Sequence, residues 1–257
     1  MTPVTLLRAG AAVLGLYAYL VAVWFDTAPV REWVNRPLGL GEDFGPLAIM
    51  LLLVCTGYVA AATGFQPRKL AWTSLPLLVA GAVAAVAERA GWMPGGAPLV
   101  PLAWITGLQL VAWLVALDRR LWPATLALLA AVGLVCLFAN DLPQLARPLA
   151  FLPLVLVGHV AWRVLNRTLP VWAGALLGTA CFAAIMGVDR NFAGLARWWY
   201  PVAATYAVLL FVVAARSGAT ADAIAAHPVT RGLGAAAEWL LLVGPTVGVA
   251  VLGLAGA

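Results

Sequence analysis

Gly45-Pro-Leu-Ala-Ile-Met-Leu-Leu-Leu-Val-Cys-Thr-Gly-Tyr-Val-Ala-Ala-Ala-Thr-Gly-Phe-Gln66 carries no charged side chain along its whole length. A bilayer core about 30 Å thick needs roughly 20 apolar residues per helix, because lipid offers backbone N–H and C=O groups no partner outside the segment. This stretch meets that requirement, and so does Leu121 to Asn140. Similar runs recur along all 257 residues: 64% of the chain is apolar, 10% is charged, and the charges cluster between the runs. A soluble domain of this size alternates apolar with polar positions and carries about a quarter charged residues. The sequence therefore predicts an all-α, polytopic transmembrane helical bundle, with residues 1–257 forming a single integral membrane domain.

Nine helices are expected, near residues 4–25, 44–64, 71–90, 98–117, 121–139, 147–164, 168–187, 197–215 and 231–256, with eight to ten spans as the range. The connections hold the Pro, Gly and charge that end helices: Gln66-Pro-Arg-Lys69, Pro94-Gly-Gly96, Asp118-Arg-Arg120, Asn140-Asp-Leu-Pro143, Asn166-Arg167 and His227-Pro228. Two are longer. Asp26 to Asp43 has room for an interfacial helix around Val30 to Asn35, and Ser217 to Thr230 is Ala-rich with one acid.

Basic residues near helix ends are retained in the cytoplasm. On alternate sides of nine spans, Arg8, Arg68, Lys69, Arg119, Arg120, Arg163, Arg167, Arg216 and Arg231 fall with the N-terminus; Arg31, Arg36, Arg89, Arg147, Arg190 and Arg197 fall opposite. Nine against six predicts a cytoplasmic N-terminus. Trp24, Trp33, Trp72, Trp92, Trp122, Trp162, Trp198 and Trp199 all sit near expected helix ends, where an amphipathic ring suits the headgroup layer. The first helix reads as a retained signal anchor, since no basic segment precedes Arg8 and Trp24-Phe25 stands where small residues would precede a cleavage site. High Ala, Gly and Val usage with Arg favoured over Lys points to a GC-rich bacterial gene and hence the plasma membrane.

Cys55, Cys136 and Cys181 each lie in an apolar run without the paired spacing of a zinc site or a disulfide, and read as core packing. The net charge of +5 comes from connection arginines facing anionic lipid, so membrane lipids and not nucleic acid are the expected partners. No phosphate-binding glycine loop, GxSxG, HExxH or paired acidic motif is present, and neither a metal nor a bound cofactor is expected. No internal repeat is visible, which counts against transporters built from inverted halves.

Ionisable groups inside a span are costly, so each is a functional candidate. They are Arg8, Glu88, His159 and Glu238, with Arg163 near a helix end; Thr56, Gln109, Thr179 and Thr205 add neutral polar groups. His159 and Arg163 stand one turn apart on one helix face. The histidine suits a general base and the arginine an anion holder, or the two make an interhelical hydrogen bond and a snorkelling cation. Glu238 has no charged neighbour within four residues, so it pairs with another helix, stays protonated or faces water. Arg8 is the candidate partner, in a pair that closes the first helix onto the last. Glu88-Arg89 reads as a solvated helix end. Gly174-x-x-x-Gly178 and Gly244-x-x-x-Gly248 permit close helix packing, and Pro245 is expected to kink the last helix.

Several segments, taken in order, resemble the membrane-bound acyltransferase-3 family. Leu7-Arg-Ala-Gly-Ala-Ala-Val13 is similar to that family's first helix. Phe44 through Thr56-Gly57-Tyr58 resembles the second, where the family carries phenylalanines leading to serine-glycine-phenylalanine. Gln66-Pro-Arg-Lys-Leu-Ala-Trp-Thr-Ser-Leu-Pro76 looks like the basic segment and proline entering the third. Pro101-Leu-Ala-Trp104 through Gln109 and Trp113 is similar to the fourth, and Phe151-Leu-Pro-Leu-Val-Leu-Val-Gly158 to a later helix. The resemblance spans Leu7 to about Arg163. It is degenerate at charged positions: Tyr19 stands where the family places its first-helix histidine, Gln109 at its fourth-helix acid and Thr73 at its third-helix arginine.

The resemblance implies transfer of an acyl group from a cytoplasmic thioester, with acyl-CoA as donor substrate, to a hydroxyl on a cell-envelope glycan or lipid. His159 would replace the missing base, Tyr19 or Glu238 would position the acceptor, and Arg68, Lys69 and Arg163 would hold the anionic donor, with Arg8 and Gln109 completing the binding set. Two alternatives stand beside it: a catalytically silent relative working with other membrane subunits in an envelope-assembly complex, and a small transporter or export factor with Arg8, Glu238 and Pro245 along its path.

Overall fold

The computed structural model describes residues 2–19, 45–92, 99–117, 121–138, 141, 146, 148–191, 199–216 and 218–256. Eleven helices and no strand occur among them: α1 (Thr2–Tyr19), α2 (Gly45–Thr63), α3 (Pro67–Arg89), α4 (Leu99–Val115), α5 (Leu121–Leu137), α6 (Leu152–Leu165), α7 (Val171–Asn191), α8 (Trp199–Arg216), α9 (Ala219–Ala226), α10 (Pro228–Leu242) and α11 (Gly244–Gly256). The chain is an all-α helical bundle, and each of the nine expected segments contains a helix. The expected interfacial helix at Val30 to Asn35 lies outside the described residues.

Two boundaries differ from expectation for clear physical reasons. Pro67 takes the first position of α3, where the N–H it lacks would have no helical partner in any case. Arg68 and Lys69 therefore belong to the first turn of α3 and not to a connection. The last segment is broken rather than kinked: α10 and α11 meet at a bend of 62°. Pro245 has no N–H to offer the Leu241 carbonyl four residues back, so the ladder loses a bond there and resumes with the Val247 N–H on the Val243 carbonyl.

Three helices, α2, α3 and α7, are long and apolar enough to cross a bilayer, and five spans result if the bent pairs α8–α9 (103°) and α10–α11 (62°) each count as one. Helix length therefore does not supply the expected nine. Leu99–Val115 and Leu152–Leu165 are apolar but short. At ~1.5 Å per residue, 14 residues cover about 21 Å of a ~30 Å core. The outer surface is apolar all the same: Leu78, Val86, Leu114, Leu176, Phe182 and Val213 are at least half exposed. Contact with hydrocarbon is the setting in which such a surface carries no aggregation cost.

α2 is the central helix, its side chains from Leu51 through Cys55 all buried. It crosses α6 almost backbone to backbone: a methyl group at Gly57 would overlap the Val155 carbonyl, and one at Gly158 would overlap the Val54 carbonyl. α1 packs in parallel on α10, with Gly234 beside Thr5 and Gly15 under Leu241. α3 and α4 run antiparallel, since Ala80 meets Leu102 near one end and Thr73 meets Trp113 near the other. Gly174 of the expected packing motif does lie against a neighbour, Val164 of α6, whereas Gly178 faces open space. Tyr200 fixes α8 against the start of α6, its hydroxyl donating to the Ala150 carbonyl and its ring edge-on to Phe151 at 5.6 Å. Cys55 and Cys181 are buried free thiols; the side chain of Cys136 lies outside the described residues.

Candidate functional site: a cationic pocket where α1, α3 and α10 meet

The parallel and antiparallel pairings gather the start of α1, the end of α2, the start of α3, the end of α4 and the first half of α10 at one end of the bundle. A cavity of about 410 Å³ opens there, lined by Arg8, Val59, Gln66, Arg68, Lys69, Trp72, Thr73, Trp113 and Glu238. Four of the residues singled out in the sequence, Arg8, Arg68, Lys69 and Glu238, share this one cavity although they lie far apart in the chain.

Arg8 Nη2 lies 3.1 Å from Glu238 Oε1, both side chains being mostly shielded at 20% and 22% exposure. Arg8 Nε also donates to the Gly234 carbonyl at 2.9 Å. The expected pair between the first and last long segments is thus present, and one guanidinium holds both the carboxylate and the backbone of α10. The floor is neutral and hydrogen-bonded. Thr73 Oγ1 donates to the Lys69 carbonyl at 2.9 Å and accepts from Trp113 Nε1 at 3.1 Å. Below it, Gln109 Nε2 donates to Thr56 Oγ1 at 3.3 Å, and that hydroxyl donates to the Leu52 carbonyl at 2.8 Å. The positions at which the acyltransferase-3 resemblance expects an arginine and an acid are therefore filled by Thr73 and Gln109 in a buried network that ties α3, α4 and α2 together.

Charge at the cavity is unbalanced, with three cations against a single carboxylate that is already engaged by Arg8. The first turn of α3 holds no acid, while Arg68 and Lys69 sit there, both exposed. A helix N-terminus carries partial positive charge, so two cations in that turn repel it in the absence of an anion. A phosphate in the cavity would relieve the repulsion and accept a planar, bidentate pair from a guanidinium. Trp72, 53% exposed at the rim, offers an apolar face beside those charges.

The structure leaves the other candidates elsewhere. His159 is 2% exposed on α6, and neither it nor Arg163 lines the cavity. The backbone carbonyl of Arg163 closes the end of α6 by accepting from Thr168 and Leu169. Gln109 lies beneath the cavity and does not reach its wall. The side chain of Tyr19 lies outside the described residues. Thr179 and Thr205 are exposed on the outer surface and are not polar groups of the interior. Glu88 and Arg89 form an exposed helix end. Val59, Gln66, Trp72 and Trp113 line the cavity without having been singled out in the sequence as site residues; Trp72 near a helix end is explained equally well by anchoring, and Trp113 stood only within an apolar run. The spacing Lys69, Trp72, Thr73 is the signal that was available, since residues three and four apart share a helix face.

No family model, no curated protein and no solved structure matches this chain.

Proposed function

We propose that this chain is a membrane-embedded binding protein for a phosphate-bearing acyl donor, built on an acyltransferase-3-like scaffold and catalytically silent. The reading rests above all on one observation: Arg8, Arg68 and Lys69 converge on a cavity whose lone carboxylate is occupied by Arg8. The two cations in excess of the Arg8–Glu238 pair, Arg68 and Lys69, suit the diphosphate of acyl-CoA, and a volume of about 410 Å³ falls in the usual range for a small-molecule site. Acyl transfer needs in addition a base within hydrogen-bond reach of the acceptor hydroxyl. The cavity lining holds no histidine, and its one carboxylate, Glu238, is already held by Arg8. These features favour holding the donor over transferring its acyl group. The excess of arginine and lysine at the cavity end supports a cytoplasmic position for that end, where acyl-CoA is found, and composition favours the bacterial plasma membrane as its setting.

Isothermal titration of the detergent-purified protein with acyl-CoA tests the reading. Binding is expected, and the double variant Arg68→Gln/Lys69→Gln should weaken it by at least tenfold and flatten its dependence on salt, since the lost contacts are electrostatic. Binding that is indifferent to both substitutions would sink the proposal. Acyl transfer to any added acceptor, lost in a folded His159→Ala variant, would restore the enzyme reading in its place.

A further inference from the structure

On another face of the bundle, α6, α7 and α8 enclose a lateral groove of about 340 Å³. Its walls are Val160 and Val164 of α6, Gly174 and Gly178 of α7 and Phe211 of α8, and the single charged residue among its lining is Arg216. Three features define what would fit. The groove is apolar and opens sideways, so its occupant comes from the surrounding hydrocarbon. It exists because α7 lacks a side chain there: a Cβ at Gly178 would meet nothing within 4 Å. It is also too small for protein, since two turns of helix ~10 Å across fill on the order of 800 Å³.

The ends of the groove differ. Arg216 is the last residue of α8, Leu165 the last of α6 and Val171 the first of α7, so all three mark one mouth. Trp172, 69% exposed, stands beside that mouth, and an exposed indole at a helix end belongs at headgroup level. A cation at headgroup level above an apolar slot matches a molecule with an anionic head and a hydrocarbon tail. We propose that this groove binds one acyl chain of an anionic phospholipid, whose phosphate pairs with Arg216.

Native mass spectrometry of the protein released from bilayers of equimolar phosphatidylglycerol and phosphatidylcholine tests the proposal. The wild-type chain should retain phosphatidylglycerol in preference to phosphatidylcholine. Arg216→Gln, at an exposed site that leaves the fold intact, should reduce that preference about fivefold, as the loss of one basic contact to an anionic headgroup predicts. Gly178→Leu fills the slot and should lower retention of both lipids, with an unchanged melting temperature as the control for folding. An unaltered lipid ratio in Arg216→Gln would overturn the proposal. So would a Gly178→Leu protein that keeps its lipid but changes from dimer to monomer, because the groove would then be a contact between two copies.

Discussion

Arg8 carries two jobs with one guanidinium, and they can be separated by substitution. Its Nη2 faces Glu238 and its Nε holds the Gly234 carbonyl. Arg8→Lys keeps the charge but gives up the forked geometry that lets one side chain serve both partners. It is expected to lower stability about half as much as Arg8→Gln in thermal unfolding of the detergent-purified protein. A double-mutant cycle with Glu238→Gln should return a coupling of about 1 kcal/mol, the upper range for pairs that retain some solvent contact. The exchanged pair Arg8→Glu/Glu238→Arg should recover only part of the loss, because a glutamate cannot donate to Gly234. Strict additivity of the two single variants would remove the pair from the account. The floor of the cavity behaves differently, being neutral. Trp113→Phe keeps one aromatic ring but deletes the pyrrole half of a buried indole with its bond to Thr73, so roughly 1–3 kcal/mol of stability should go with it, read in the same unfolding experiment.

At the scale of elements, stability depends on where backbones touch. The α2–α6 crossing has glycine on both helices, and each faces a carbonyl of the other, an obstacle that cannot rotate away. Gly57→Ala and Gly158→Ala should each cost roughly 1–3 kcal/mol, the range for forcing extra volume into a packed contact. Gly178→Ala, with open space around it, should be neutral or gain up to about 1 kcal/mol from helix propensity. Equal effects at all three positions in chemical or thermal unfolding would show that the crossing is not as close as it stands here. The all-α bundle of apolar helices was legible in the sequence because hydropathy sets it, whereas the expected nine spans were not, since only three to five helices reach spanning length. This crossing was not, since Gly174-x-x-x-Gly178 looks in sequence just as suited to packing as Gly57 and Gly158, yet only Gly174 of that pair meets a neighbour. Which small residue faces another helix is decided by rotation about the helix axis, and uniformly apolar helices barely encode that rotation. The site was legible in part for a related reason. Arg8 and Glu238 stand out as charges in apolar surroundings that need partners, whereas Trp72 is hidden among the many tryptophans near helix ends and Trp113 within an apolar run.

At the scale of the whole molecule, side-to-side alternation of the helices joins the charge count to the cavity. α3 and α4 are antiparallel and α1 and α10 parallel, so residues 66–69, the end of α4 and the first turns of α1 and α10 share one end, as the alternate placement of arginine and lysine requires. The short helices are the weak step of that alternation. α6 has 14 residues, about 21 Å at ~1.5 Å each, and crosses a ~30 Å core only if the bilayer thins around it or the flanking residues reach outward. The side on which the connection between α6 and α7 lies decides whether it does. In a chain with Cys55, Cys136 and Cys181 replaced by alanine, single cysteines at Gln66, Gly91 and Asn166 report the side through a membrane-impermeant maleimide. Gln66→Cys and Asn166→Cys should resist labelling in intact cells and react in inside-out vesicles, with Gly91→Cys showing the reverse. If Asn166→Cys instead labels together with Gly91→Cys, an odd number of the helices from α4 to α6 fails to cross. If all three patterns are inverted, the alternation stands but the cationic cavity faces away from the cytoplasm, and a cytoplasmic acyl donor cannot be its ligand.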